Sequence, residues 1–109
     1  AIRPLLSAGP LKTLAYVAFR QPVSQSHVIA VRGSHAYGHV RQLVDSGLVE
    51  RERSGRNKIL RATEFFADYF GLSHNPRIMK RQLKRTFSEV TDASSSEFEE
   101  EPEGEEEQP

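Results

Sequence analysis

The chain has no cysteine among its 109 residues, which excludes disulfides and thiolate metal sites and leaves an apolar core to hold the fold. That absence suits a reducing, intracellular setting. No apolar run approaches the roughly 20 residues that span a bilayer, and the opening Ala1, Ile2, Arg3 lacks the pattern of a secretion signal. A soluble protein without membrane contact is expected. The start also lacks methionine, which suggests a fragment or a processed chain. No nucleophile elbow, Walker loop or dinucleotide glycine pattern occurs, so neither catalysis nor a cofactor is expected. Basic residues are missing from Asp92 onward, where nine acids stand alone: Asp92, Glu97, Glu99, Glu100, Glu101, Glu103, Glu105, Glu106 and Glu107. The preceding part holds fifteen bases against six acids, so a formal +9 there is cancelled by −9 in the tail. A basic body points to a polyanionic or acidic partner, and the acidic run reads as a solvated, self-repelling segment.

What the sequence does contain is clear punctuation. Two prolines and a glycine predict an irregular arm or strand over 1–10, with helix beginning only after Pro10. Over 11–20 a 3.6-residue repeat sends Leu11, Leu14, Ala15, Ala18 and Phe19 inward and Lys12, Thr13, Tyr16 and Arg20 outward. Ser24 is placed to cap a second helix through Val28, Ile29 and Val31, ended by Arg32 and Gly33. Ser34 would cap a third, with Ala36, Val40, Leu43 and Val44 as its buried stripe and Gly47 closing it. Strands over 48–51 and 58–61 follow, joined by a tip of Ser54, Gly55, Arg56 and Asn57. Thr63 can cap a fourth helix that Gly71 stops after Phe65, Phe66, Tyr69 and Phe70. Asn75 and Pro76 then open a basic amphipathic helix, with Met79, Leu83, Phe87 and Val90 opposite Arg77, Arg81, Lys84 and Arg85.

This order is that of a winged helix-turn-helix. The expected class is α+β, mainly α, divided into an N-terminal arm (1–10), a winged-helix domain (11–72), the added basic helix (73–91) and a disordered acidic tail (92–109). The tail cannot bury enough surface to offset chain entropy.

Candidate chemistry is sparse. His35 and His39 have the four-residue spacing of zinc ligands but lack a third or fourth ligand nearby, so they read as solvated, and His27 and His74 as isolated. No metal is expected. A nucleic-acid contact would use His35, Arg41 and Gln42 on the third helix and Arg53, Arg56 and Lys58 on the wing. Asp45, Glu50 and Glu52 would repel phosphate beside them, which leaves a weak or indirect contact. A protein contact has more apolar surface to use. Phe65, Phe66, Tyr69 and Phe70 wrap more than half of the fourth helix, and Tyr16 points outward from the first. In the competing arrangement, the last helix folds back over these rings.

Specific stretches go further. The run Leu-Lys-Thr-Leu-Ala-Tyr-Val-Ala-Phe-Arg-Gln-Pro-Val over 11–23 resembles the second winged helix of the segregation and condensation protein B (ScpB) family. So do Val31-Arg32-Gly33, then Val40-Arg41-Gln42-Leu43 with Gly47-Leu48-Val49, and Ala62-Thr63-Glu64-Phe65-Phe66 with Tyr69-Phe70-Gly71-Leu72. The resemblance implies a non-enzymatic subunit of a cytoplasmic, nucleoid-associated SMC complex that condenses and segregates chromosomes. Its partner would be the kleisin ScpA, and through it the SMC ATPase. Tyr16, Phe65, Tyr69 and Phe70 would form the kleisin-binding surface, with Arg20 at its rim. The family carries a first winged helix tied to homodimerisation that this sequence lacks. The wing is short, as an archaeal form would have it. The alternative is a winged-helix DNA-binding transcriptional regulator.

Overall fold

Helix α1 (Ala8–Arg20) is the axis around which the other elements pack. Residues 13–19 are all buried, because α3 (Ala36–Asp45), α5 (Pro76–Thr91) and strand β3 (Asn57–Ala62) lie against it on different sides. The computed structural model describes residues 6–91, with side chains over 6–85. The acidic tail, residues 1–5, and the side chains of Phe87 and Val90 lie outside the described residues.

The helix begins earlier than Pro10 would suggest. Ser7 occupies the N-cap position and Pro10 falls in the first turn, where a backbone N–H has no intrahelical partner to lose. Thr13 and Tyr16 are also corrections: both are buried, since a helix surrounded by its own domain has no wet side for the 3.6-residue repeat to reveal.

Between α1 and α3 lie the two-residue strand β1 (Val23–Ser24) and α2 (Gln25–Arg32). Ser24 caps α2 as expected, its Oγ accepting from the His27 N–H at 3.1 Å. Helix α3 starts at Ala36 with His35 at the cap position, one residue later than Ser34 would place it. Its Ala36, Val40 and Leu43 are fully buried, and Val44 packs partly against the same core.

The sheet has three antiparallel strands in the order β1-β3-β2, with β2 spanning Val49–Ser54. Leu60 faces Val23 on one side and Arg51 on the other, and the ladder runs out to Ser54 opposite Asn57. Both hairpin strands are longer than their apolar residues indicate, because a turn of only Gly55 and Arg56 keeps the polar tip in register. The extension is wing: residues 50–58 are exposed.

Thr63 and Gly71 bound α4 (Glu64–Phe70) as the sequence indicated. The Thr63 hydroxyl accepts from the Phe66 N–H at 3.1 Å and donates to the Gly47 carbonyl at 2.7 Å, so the cap also fastens α4 to the loop after α3. Gly71 ends the helix at φ 68°, ψ 35°, a left-handed conformation that a side chain would strain. Asn75 Oδ1 accepts from the N–H groups of Arg77 and Ile78 and so opens α5.

Candidate protein-interaction site

Two ring clusters form, and only the second exposes large apolar rings. In the first, the Tyr16 hydroxyl is 2.9 Å from His27 Nε2, and the rings stack with centroids 6.0 Å apart. The Arg20 guanidinium lies over both Tyr16 and Phe19, 5.9 and 5.8 Å from the ring centroids. Tyr16 retains only 3% exposure, so it cannot present an anchor in the folded domain. Its polar end is satisfied by His27, a histidine that sequence alone read as isolated.

The second cluster is on α4. Phe66 and Ala67 face the core, while Phe65 and Phe70 keep 44% and 38% exposure and Tyr69 is half-buried. Phe65 and Tyr69 approach to 5.6 Å between centroids, and Tyr69 meets Phe70 edge-on at 5.1 Å. Phe70 also leans on buried Phe66 at 5.2 Å. These contacts hold the exposed rings as one patch, which lowers the rotamer entropy a partner would otherwise have to freeze. Helix α5 packs on α1 and does not bury Phe65 or Phe70.

Four of the six positions read as nucleic-acid contacts divide between two concave surfaces. Arg56 and Lys58 at the wing tip join Gln25, Ser26, Tyr37 and Asn57 around a cleft of about 160 Å³. Arg41 and Gln42 instead line a groove with Gly38, Asp45 and Ser46. His35 and Arg53 are exposed and line neither. Tyr37, at 56% exposure, was missed by the sequence reading although it stands beside Ala36 on the outer side of α3. On the wing itself, Glu52 takes the Arg61 guanidinium at 3.3 Å, which removes part of the positive field there.

Of the two histidines at zinc-ligand spacing, His35 is exposed as expected, but His39 is partly buried and bonded. His39 Nδ1 is 2.9 Å from the Thr13 hydroxyl, which also accepts from Arg32 Nε at 3.3 Å. Burial, then the nearby Arg32 and His35 charges, hold the His39 pKa below its ordinary value. His74 goes the other way, raised first by its 2.7 Å hydrogen bond to Asp68. Among the described residues no group of three or more His, Cys, Asp or Glu could hold a metal ion, and no helix is long and apolar enough to cross a membrane.

Residues 2–81 match the family described as segregation and condensation complex subunit ScpB. The chain belongs to the ScpB family. Segregation and condensation protein B of Listeria welshimeri is 42% identical over 73 residues, covering 63% of this chain and 37% of that protein. The protein of the same name from Streptococcus equi subsp. equi is 34% identical over 77 residues, covering 67% and 43%. The crystal structure of ScpB from Mycobacterium tuberculosis superposes with a TM-score of 0.59 at 35% identity, covering 65% of this chain and 46% of the other. The chain therefore spans less than half the length of these ScpB relatives. An uncharacterised SlyA-like transcription regulator from Listeria monocytogenes aligns with a TM-score of 0.50 at 15% identity, over 85% and 75% of the two chains, which shows a shared winged-helix fold.

Proposed function

We propose that this chain is the kleisin-binding winged helix of a non-enzymatic ScpB subunit, which grips ScpA and through it supports an SMC ATPase in chromosome condensation and segregation. The observation that carries this reading is the α4 patch of Phe65, Tyr69 and Phe70, preorganised and partly exposed on a domain of the ScpB family. Aromatic anchors of this kind supply most of the energy of protein interfaces. Arg20 lies half-buried over the α1 rings Tyr16 and Phe19, and its part in the interface is a separate proposal from the α4 patch.

Calorimetric titration of the cognate kleisin into wild type and the Phe65→Ala, Tyr69→Ala and Phe70→Ala variants tests the proposal, with circular dichroism as the folding control. At least one folded variant should lose about 1–3 kcal/mol of binding. Unchanged affinity in all three would move the interface elsewhere. A winged-helix regulator is the second reading, and it differs in a simple assay: it should shift one duplex sequence in preference to others without any partner.

A further inference from the structure

Helix α5 carries its positive charge along one side. Arg77, Arg81, Lys84 and Arg85 are all exposed, and their spacing of i, i+4, i+7 and i+8 places them on a single stripe. On the opposite side, Met79 and Leu83 are buried where α5 packs on α1. The described part of the apolar face of this amphipathic helix, Met79 and Leu83, is thus already occupied within the domain. Outward, the charge is of one sign through Arg85, with Ile78 also exposed at 40% beside the stripe, and no acid occurs on α5 before Glu89. The wing and α3 differ in this respect, since Glu50, Glu52 and Asp45 interrupt their bases.

We propose that the Arg77, Arg81, Lys84 and Arg85 stripe binds the phosphate backbone of duplex DNA without sequence preference and without help from the wing. Over eight residues the stripe rises about 12 Å, a distance along which duplex DNA presents several phosphates, roughly one charge per 1.7 Å of axis. Three of the four groups are arginines, whose fork of donors matches phosphate oxygens in pairs. A rigid helix fixes their spacing, and this suits a polyanion of regular spacing better than a pliable acidic peptide. Because the whole chain is formally neutral, long-range attraction is weak and the contact must come from this local stripe at low ionic strength.

Fluorescence anisotropy on the full chain with two unrelated duplexes of equal length tests the assignment. The assay contains no kleisin, so its failure is separate from failure of the kleisin reading. Equal affinity for both duplexes is expected, with a log–log salt slope of about −3 to −4 if all four cations engage. Arg81→Gln with Lys84→Gln should weaken binding at least about tenfold at low salt and reduce the slope by about 2. Arg56→Gln with Lys58→Gln should leave both unchanged. Circular dichroism checks that the variants fold. Loss of binding through the wing pair and not the α5 pair would overturn the proposal, as would clear preference for one duplex, or no binding at about 50 mM salt. A Glu-rich peptide that displaces the duplex at matched charge would reassign the stripe to an acidic protein.

Discussion

The Tyr16 hydroxyl and His27 Nε2, 2.9 Å apart, tie α1 to α2 across the edge of the core. Tyr16 is buried and His27 exposed, so the pair converts a phenol that would be costly to desolvate into a satisfied one. This placement makes Tyr16 a residue of stability rather than recognition.

Tyr16→Ala should therefore destabilise the domain by about 3–5 kcal/mol, as deletion of a large buried ring does. Tyr16→Phe, which keeps the ring and loses only the hydrogen bond, should cost about 0.5–1.5 kcal/mol. Urea unfolding measures both. A Tyr16→Ala midpoint equal to wild type would show that the ring is not packed as described.

The contrast between α1 and α4 shows what periodicity can and cannot reveal. Caps and stops were legible at Ser24, Thr63, Gly71 and Asn75, because their side-chain or backbone chemistry is local. The α3 stripe was legible for a related reason: its other side faces water. Helix α1 has neighbours on several sides, so its amphipathic signal is weak and the outward side assigned to Thr13 and Tyr16 does not exist. The surplus rings of α4 were visible in composition, but which of them stay wet depended on where α5 docked. The histidine partners were invisible for a different reason. Thr13 and His39 are 26 residues apart, and Tyr16 and His27 are 11 apart, so only tertiary packing brings each pair together.

The histidines should also respond to pH in opposite senses. His39 has a folded pKa below the ordinary value of about 6.5. Its contribution to stability is complete above that value and is lost as pH falls toward the folded pKa, because the unfolded chain binds the proton more readily. For His74 the folded pKa is raised by Asp68, so its contribution is present below about 6.5 and lost as pH rises through the folded pKa. Imidazole proton shifts followed by NMR should place the His39 midpoint below that of His74. The reverse order would contradict the burial of His39 beside Arg32 and the Asp68 contact of His74.

Leu83 tests how α5 is attached. It is fully buried in the core, and Leu83→Ala should cost about 2–5 kcal/mol. Leu83→Asp should lower the melting temperature further by placing a carboxylate where it has no solvent. Scanning calorimetry reads both variants, and an unchanged melting temperature for Leu83→Asp would mean that α5 does not need its place on α1.

Gln21 gives the last prediction, because one side chain there connects three elements. Its Nε2 donates to the Ala18 carbonyl at 3.1 Å and to Met79 Sδ at 3.4 Å, while its Oε1 accepts from the Ala62 N–H at 3.1 Å. The C-terminus of α1, the end of β3 and the first turn of α5 therefore meet at this amide, and Val23, two residues on, pairs with Leu60. Gln21→Ala removes all three bonds and deprives the partly buried Ala62 N–H of its acceptor, at an expected cost of about 1–3 kcal/mol. Hydrogen exchange distinguishes this account from a general loss of stability. The Ala62 amide should lose protection by more than the change in global stability allows, whereas Leu60, whose partners are in β1 and β2, should change only with the global value. If Ala62 and Leu60 shift by the same amount in Gln21→Ala, the amide is not the acceptor that holds the end of β3.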